Sequence, residues 1–117
     1  MAKQGPARPG QPVRGSRSGR PIMVLLDLLS RRWALRVLWE LRDGPLRFRA
    51  LQQACGISPS VLNTRLAELR EAGIVTLAPD QGYVLTPAGT DLLARVLPLH
   101  DWAEDWARRL DGTGNGA

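Results

Sequence analysis

The sequence predicts a mainly α-helical domain with one small β-hairpin, and three observations predict it. Apolar residues recur at helical spacing from residue 21 to residue 73. The period then shortens to two between residues 74 and 85, as in a pair of short strands. Helical spacing returns after Thr86 and Pro87, which suit the cap and the first turn of a helix. A chain of 117 residues has room for one domain with a single core.

Residues 21–42 predict a helix in two parts. Pro21 suits the start of the first part, and Ser30 suits the cap of the second. The apolar stripes of the two parts comprise Ile22, Leu25, Leu26 and Leu29, and then Trp33, Val37, Leu38 and Leu41. The run Asp43-Gly44-Pro45 predicts a stop, because glycine permits the terminating conformation and proline cannot continue a helix.

Two short helices around a tight turn are predicted next. The first begins around Arg47, and the turn lies at residues 55–57. Ser58 suits the N-cap of the second helix, Pro59–Ala72, whose buried stripe comprises Leu62, Leu66 and Leu69. Gly73 suits its stop. In the DNA-binding form of such a helix-turn-helix the second helix enters the major groove, although helical hairpins are also common in other proteins.

Residues 74–85 predict a β-hairpin, with strands at Ile74–Leu77 and Tyr83–Leu85 and a loop of about five residues. Three helices followed by such a hairpin make a winged helix-turn-helix, in which the hairpin is the wing. A long helical pattern follows Thr86-Pro87. Pro98 lies inside this pattern and predicts a kink or a break there, because proline lacks the backbone donor.

Charge and composition divide the chain into three segments. Residues 1–20 carry five basic residues and no acid, with little to bury, so they are predicted to be a disordered basic arm. Its arginines include Arg14, Arg17 and Arg20, and two interpretations are open, a DNA-contacting arm and a solubilising tail. Residues 21–111 form the predicted domain, and residues 112–117 form a flexible tail.

The predicted domain has no net charge but is polarised. Residues 31–70 hold eight arginines and three acids, whereas residues 91–111 hold five acids and three arginines. One side of the molecule would therefore suit a polyanion, unless the charges form an ordinary mixed surface.

Several classes of protein are disfavoured by what the sequence contains. No apolar run approaches the ~20 residues of a membrane span, and no signal-peptide pattern follows the basic N-terminus. One cysteine, Cys55, excludes an internal disulfide and suits a reducing cytoplasm. One histidine, His100, makes neither a metal site nor a convincing catalytic dyad. We therefore expect no enzyme, no metal and no cofactor.

A set of motifs carries a family resemblance. It comprises Arg32–Leu41, Asp43–Leu51, Ile57–Leu66, Leu69, Gly73–Val75, Tyr83–Gly89 and Trp102. This set closely resembles the HxlR-type winged helix-turn-helix regulators, relatives of the MarR group, over about residues 21–106. The resemblance implies a bacterial, cytoplasmic transcription regulator. It also implies a homodimer, paired through the N- and C-terminal helices, on a pseudo-palindromic operator.

Three features depart from the family pattern. Arg20 stands where many members carry a cysteine, and in some members that cysteine senses oxidants, so thiol sensing is not expected at this position. The predicted wing is short and holds no basic residue, which puts deep minor-groove insertion in doubt. Pro98 is the third departure and is expected to reshape the C-terminal helix.

The second helix of the helix-turn-helix, Pro59–Ala72, is the candidate recognition helix. Its face opposite the leucine stripe presents the candidate base contacts, which are Ser60, Asn63, Thr64 and Ala67. Asparagine can pair bidentately with adenine, serine and threonine can serve several bases, and alanine can touch a thymine methyl. The candidate phosphate contacts are Arg47, Arg49, Ser58 and Arg65. Two alternatives are open, since Asn63 and Thr64 can be ordinary exposed residues and Arg65 can pair with a glutamate.

Four tryptophans are many for this length: Trp33, Trp39, Trp102 and Trp106. They are interpreted as core and dimer interface, and alternatively as a dimer cleft that stacks a small, flat aromatic effector. Cys55 is interpreted as a small core residue rather than a redox sensor.

Two functional hypotheses remain. The first is a homodimeric, sequence-specific DNA-binding regulator, acting as a repressor, with double-stranded DNA as its partner. The alternative is a winged-helix module for protein–protein interaction, which would need an apolar or acidic face where Ser60, Asn63 and Thr64 stand.

Overall fold

The computed structural model of the chain describes residues 19–114, with side chains to residue 112. Most of the predicted arm, including Arg14 and Arg17, and the last three residues lie outside this range. In chain order the elements are α1 (Pro21–Ser30), α2 (Ala34–Glu40), α3 (Phe48–Cys55), α4 (Pro59–Glu71), β1 (Val75–Ala78), β2 (Gly82–Leu85), α5 (Pro87–Val96) and α6 (Pro98–Gly114). The prediction of a mainly helical winged helix-turn-helix is confirmed.

The start of α2 differs from the prediction. Ser30 is the last residue of α1, and its hydroxyl donates to the carbonyl oxygen of Asp27 (2.8 Å). The predicted Ser30 cap is therefore wrong, because the hydroxyl turns back into α1. The residue before α2 is Trp33, with a φ of 78° that bulky residues rarely adopt. Its ring packs against the core, with the Arg32 guanidinium 5.0 Å from the ring centre.

The helix-turn-helix forms as the capping residues predict. Gly56 ends α3 with a φ of 69°. The Ser58 hydroxyl accepts from the amide of Val61 (3.2 Å) and caps α4, and Pro59 is its first residue. Beyond α4, Gly73 has a φ of 76° and donates to the carbonyl of Arg70 (3.0 Å). The amide of Ile74 then donates to the carbonyl of Leu69 (2.9 Å), which completes a Schellman motif.

The wing is a two-stranded antiparallel hairpin in which Val75 pairs with Leu85 and Ala78 pairs with Gly82. Its loop has three residues rather than about five, because Ala78 and Gly82 still belong to the ladder. Leu46 and Tyr83 exchange backbone hydrogen bonds (3.0 and 2.8 Å), so the segment before α3 lines the wing as a one-residue third strand.

The core lies between α2, α4 and the base of the wing. The leucine stripe of α4 is buried as predicted, at 0–2% exposure. It packs in one cluster that includes Val37, Leu38, Leu41, Leu51, Val75 and Leu93. The hydroxyl of Thr86, directly after β2, donates to the carbonyl of Gly73 (2.6 Å) and accepts from the amide of Gly89 (3.0 Å). These bonds fix the base of the wing to the end of α4.

The C-terminal helix is interrupted at Leu97, directly before Pro98, which confirms the predicted break. One face of α6 is apolar and about half exposed (48–56%), with Leu99, Trp102, Trp106 and Leu110 in its stripe. The tryptophans are predicted to lie in the core and in a dimer interface. For Trp102 and Trp106 the core part of that prediction is wrong, because both rings are exposed in the single chain. The helix runs to Gly114, three residues past the predicted end of the domain.

Candidate nucleic-acid interface

The outer face of α4 carries all four candidate base contacts, and all four are exposed. The Thr64 hydroxyl donates to the carbonyl oxygen of Ser60 (3.1 Å), which leaves its oxygen lone pairs for an outside donor. Asn63 has no hydrogen bond from its side chain within residues 19–114, so its carbonyl and its amino group can both bind a base edge. This arrangement can form one bidentate and two single contacts along one turn of helix.

The first turn of α4 provides a site suited to a phosphate group. Ser58 is exposed, and Pro59 and Ser60 follow it at the open end of the helix. Pro59 has no amide hydrogen, and the amides of Val61 and Leu62 donate to the hydroxyl and the carbonyl of Ser58. The amide of Ser60 is therefore the one in this turn left for an anion, at the positive end of the helix dipole. The N-terminal half of α4 therefore carries both a candidate phosphate site and the candidate base contacts Ser60, Asn63 and Thr64.

Arg47 lies between the helix-turn-helix and the wing. It directly precedes α3, and its guanidinium donates to the carbonyl oxygen of Asp80 at the wing tip. The wing strands and their loop hold no basic residue, whereas Asp80 adds a negative charge. Arg47 thus brings a cation to the wing tip from outside the wing. Arg49, on the first turn of α3, is exposed and forms no ion pair with any residue of the described part.

Arg65 has a different environment from the other candidate phosphate contacts. Its guanidinium forms an ion pair with Glu68 (2.7 Å), and its side chain is only 17% exposed. The open alternative, pairing with a glutamate, is thus the arrangement observed. Arg65 flanks the buried stripe, and a charged group held there needs a partner of opposite charge.

The sequence interpretation missed a buried ionic network, defined here as Asp27, Arg31, Arg65 and Glu68. The Arg31 guanidinium contacts Asp27 (2.7 Å) and Glu68 (3.2 Å), and all three residues are less than 10% exposed. Spacings of four residues between Asp27 and Arg31, and of three between Arg65 and Glu68, were a signal for pairing within helices. No local pattern indicated that Arg31 and Glu68 meet.

The basic surface is smaller than the count of arginines predicts. Arg31 and Arg65 belong to the ionic network, and Arg36 pairs with Glu40 (2.8 Å). Arg42 pairs with Asp43 (3.8 Å), so the exposed arginines of residues 31–70 without an ion pair in the described part of the chain are Arg32, Arg47, Arg49 and Arg70. A phosphate backbone would therefore meet cations around α3 and the wing, together with exposed Arg20 before α1.

Cys55 is buried at the end of α3, as the core interpretation predicts. Burial raises the pKa of its thiol, while nearby Arg36 lowers it and Glu40 raises it. A thiol held protonated in this way is a poor nucleophile.

The four tryptophans have unequal environments. Trp39 is half-buried, its ring stacks on His100 of α6 (6.1 Å between centroids), and the Arg42 guanidinium lies 4.6 Å from its ring centre. Trp33 is half-buried against the core. Trp102 and Trp106 are exposed and stack on each other with centroids 5.6 Å apart.

Residues 19–114 hold no group of three or more histidine, cysteine, aspartate or glutamate residues arranged to bind a metal ion. No helix among them is long and apolar enough to cross a membrane.

Comparison with known proteins places the chain among bacterial and archaeal regulators. An uncharacterized HTH-type transcriptional regulator from Mycobacterium tuberculosis is 33% identical over 100 residues, which cover 80% of this chain and 63% of that protein. The chain thus spans less than two thirds of that relative. YdeP from Bacillus subtilis, also an uncharacterized HTH-type transcriptional regulator, is 29% identical over 80% of this chain and 78% of its own length.

Solved structures agree with these relatives. Quinone-bound YodB from Bacillus subtilis matches with a TM-score of 0.65 and 33% identity, over 72% of this chain and 96% of that chain. A possible HxlR family transcriptional factor from Thermoplasma volcanium matches with a TM-score of 0.65 and 25% identity, over 75% and 85% of the two chains. The family model described as HxlR-like helix-turn-helix matches residues 28–111. The chain therefore belongs to the HxlR family of winged helix-turn-helix, DNA-binding transcriptional regulators.

Proposed function

We propose that the protein is a homodimeric repressor that reads a pseudo-palindromic operator with α4 in the major groove. The observation that carries this proposal is the exposed polar face of α4, set on a helix whose opposite face is fixed in the core. Asn63, Ser60 and Thr64 read base edges, and Ala67 lets the helix approach a thymine methyl. A protein-interaction module would instead present an apolar or acidic surface there.

Phosphate contacts orient α4 in the groove. Ser58 and the amide of Ser60 hold one phosphate, and Arg49 holds another. Arg47 supplies the cation that the wing itself lacks, from its position against Asp80. The basic arm, with Arg14, Arg17 and Arg20, follows the backbone or the adjacent minor groove. Arg65 is left out of this set because Glu68 neutralises it.

The dimer pairs α1 and α6 of two copies. Leu26 and Ile22 on α1 are more than half exposed, and the stripe of α6 adds two tryptophans and two leucines. Exposed apolar surface of this kind is typical of a protein interface. Such a dimer would place two copies of α4 in successive major grooves, about 34 Å apart. Because its proposed partner is bacterial DNA, the proposed location of the protein is the cytoplasm.

A small aromatic effector is part of the proposal. The stacked rings of Trp102 and Trp106 lie on the proposed dimer face, with the Arg109 guanidinium 6.0 Å from the Trp102 ring centre. YodB, a structurally similar protein, has been solved with a bound quinone, which is a flat conjugated ring. An effector stacked on these rings would change how the two copies pair. Quenching of tryptophan fluorescence by quinones, abolished by Trp102→Leu, would support this role, whereas unchanged quenching would contradict it.

The test of the proposed function is selection of binding sites from a pool of random DNA duplexes. We expect the wild type to enrich an inverted repeat with half-sites about 10 base pairs apart. Asn63→Ala should lose affinity for the selected site, while Thr90→Ala, an exposed polar residue on α5, serves as the matched control. A wild-type protein that enriches no sequence at low salt would contradict the proposal.

A further inference from the structure

The ionic network joins α1, the α1–α2 turn and α4. Asp27 lies in the last turn of α1, Arg31 directly follows α1, and Arg65 and Glu68 are carried by α4. The Arg31 guanidinium bridges the two helices, because one nitrogen bonds Asp27 (2.7 Å) and another lies 3.2 Å from Glu68. Glu68 in turn accepts from Arg65 (2.7 Å). The chain of contacts therefore runs from α1 into α4 without a gap.

The ionic network lies between the proposed dimer face of α1 and the outer face of α4, which bears the proposed base contacts. Asp27 is buried, whereas Leu26, its neighbour in α1, is 51% exposed on the proposed dimer face. On α4, Glu68 and Arg65 flank the buried stripe. Asn63 and Thr64, on the outer face, lie about one turn before Glu68 and directly before Arg65. A shift of α1 would thus be passed through Arg31 to the helix that bears the base contacts.

Stability alone does not account for the network. Burying three charged groups and partly burying a fourth, Arg65, costs desolvation free energy, and well-packed apolar side chains at such positions are often at least as stable. Within residues 19–114 the network is also not fully hydrogen-bonded. Nε and Nη1 of Arg31 and Nε of Arg65 are buried without a hydrogen-bond acceptor, so the Arg31–Glu68 contact is an ion pair and not a hydrogen bond. In some proteins a buried ionic group fixes how two elements are arranged instead of adding stability, and the ion pairs that join α1 to α4 suit that role.

We propose that Arg31 is the positioning residue of the recognition helix: through Glu68 and Arg65 it sets the orientation of α4 relative to α1, and so the discrimination between operator and other DNA. The inference rests on the proposed function, because it assigns a role to residues beneath the same reading face. Arg31 itself touches no DNA, since its side chain is 3% exposed.

The test compares affinity for the selected site with affinity for a scrambled duplex, in variants of the full chain. The triple variant Asp27→Asn/Arg31→Met/Glu68→Gln removes three buried charges at nearly constant volume and keeps an acceptor for Arg65. We expect it to bind scrambled DNA within about threefold of wild type and to lose about tenfold or more of the operator-to-scrambled ratio. That loss corresponds to one misplaced bidentate base contact. Arg31→Lys, which retains the charge but reaches one carboxylate, should show a smaller loss.

The controls separate positioning from folding and from the proposed function. Arg36→Met removes an exposed arginine outside the network, and we expect its ratio to equal that of wild type. Thermal melting reports whether each variant is folded, and if the triple variant unfolds, Arg31→Lys decides the question. An unchanged ratio in a folded triple variant, or in Arg31→Lys when the triple variant is unfolded, would overturn the inference. A wild type that selects no site would overturn the proposed function instead.

Discussion

Replacing Arg47 with alanine separates the proposed role of this residue in DNA binding from its hydrogen bond to the wing. The substitution removes one proposed phosphate contact per protomer, hence two per dimer. For B-DNA the slope of log K against log salt changes by about 0.9 per contact, so the slope should become shallower by about 1.8. Between 50 and 200 mM salt, affinity would then decline about tenfold less than in wild type.

The same substitution removes the hydrogen bond from Arg47 to the carbonyl of Asp80. Because this bond is exposed, its loss should cost little global stability, and thermal melting should barely change. Arg49→Ala is the matched variant, since Arg49 is an exposed arginine nearby on α3 with no ion pair within the described part of the chain. The salt slopes of the two variants should shift equally, but only Arg47→Ala should speed amide exchange at Asp80 and Gln81. A wild-type salt slope in Arg47→Ala would refute the assigned phosphate contact.

Three further predictions concern the cap, the thiol and the dimer face. Ser58→Ala should lower the free energy of unfolding by about 1 kcal/mol in a denaturant titration, since the amide of Val61 loses its acceptor; an unchanged midpoint would argue against the cap. Because burial raises the pKa of Cys55, the native thiol keeps its proton where the unfolded one ionises. Stability should therefore fall as pH rises above about 8.5, and Cys55→Ala should lack that component of the decline. Trp106→Asp should shift the protein from dimer to monomer in analytical ultracentrifugation. A variant that remains a dimer would contradict the proposed interface on α6.

The helix-turn-helix could be predicted from sequence because its boundaries depend on local chemistry. Ser58, Pro59 and Gly73 each act within one turn of their own position, through a cap, a fixed φ and a left-handed φ. The leucine stripe of α4 follows from helical periodicity alone. These signals need no knowledge of distant residues, and the structure confirms each of them.

The features that sequence reasoning missed depend on contacts between distant segments. Trp33, not Ser30, precedes α2, because the turn there brings Arg31 inward to meet Asp27 and Glu68. The Arg31–Glu68 contact spans 37 residues, and no pattern in either segment indicates it. Arg47 reaches Asp80 across a similar separation. The sequence therefore indicated the proposed reading face of α4 better than it indicated the contacts that hold that face in place.

The central claim, that Asn63 on α4 reads a base, is tested most directly by comparing the sites that wild type and Asn63→Ala select from one random pool. The account predicts that the variant loses its preference at one symmetry-related pair of positions, occupied by adenine in the wild-type site, and keeps the others. The discrimination lost there should be about 1–3 kcal/mol. Identical base preferences for the two proteins would contradict the account.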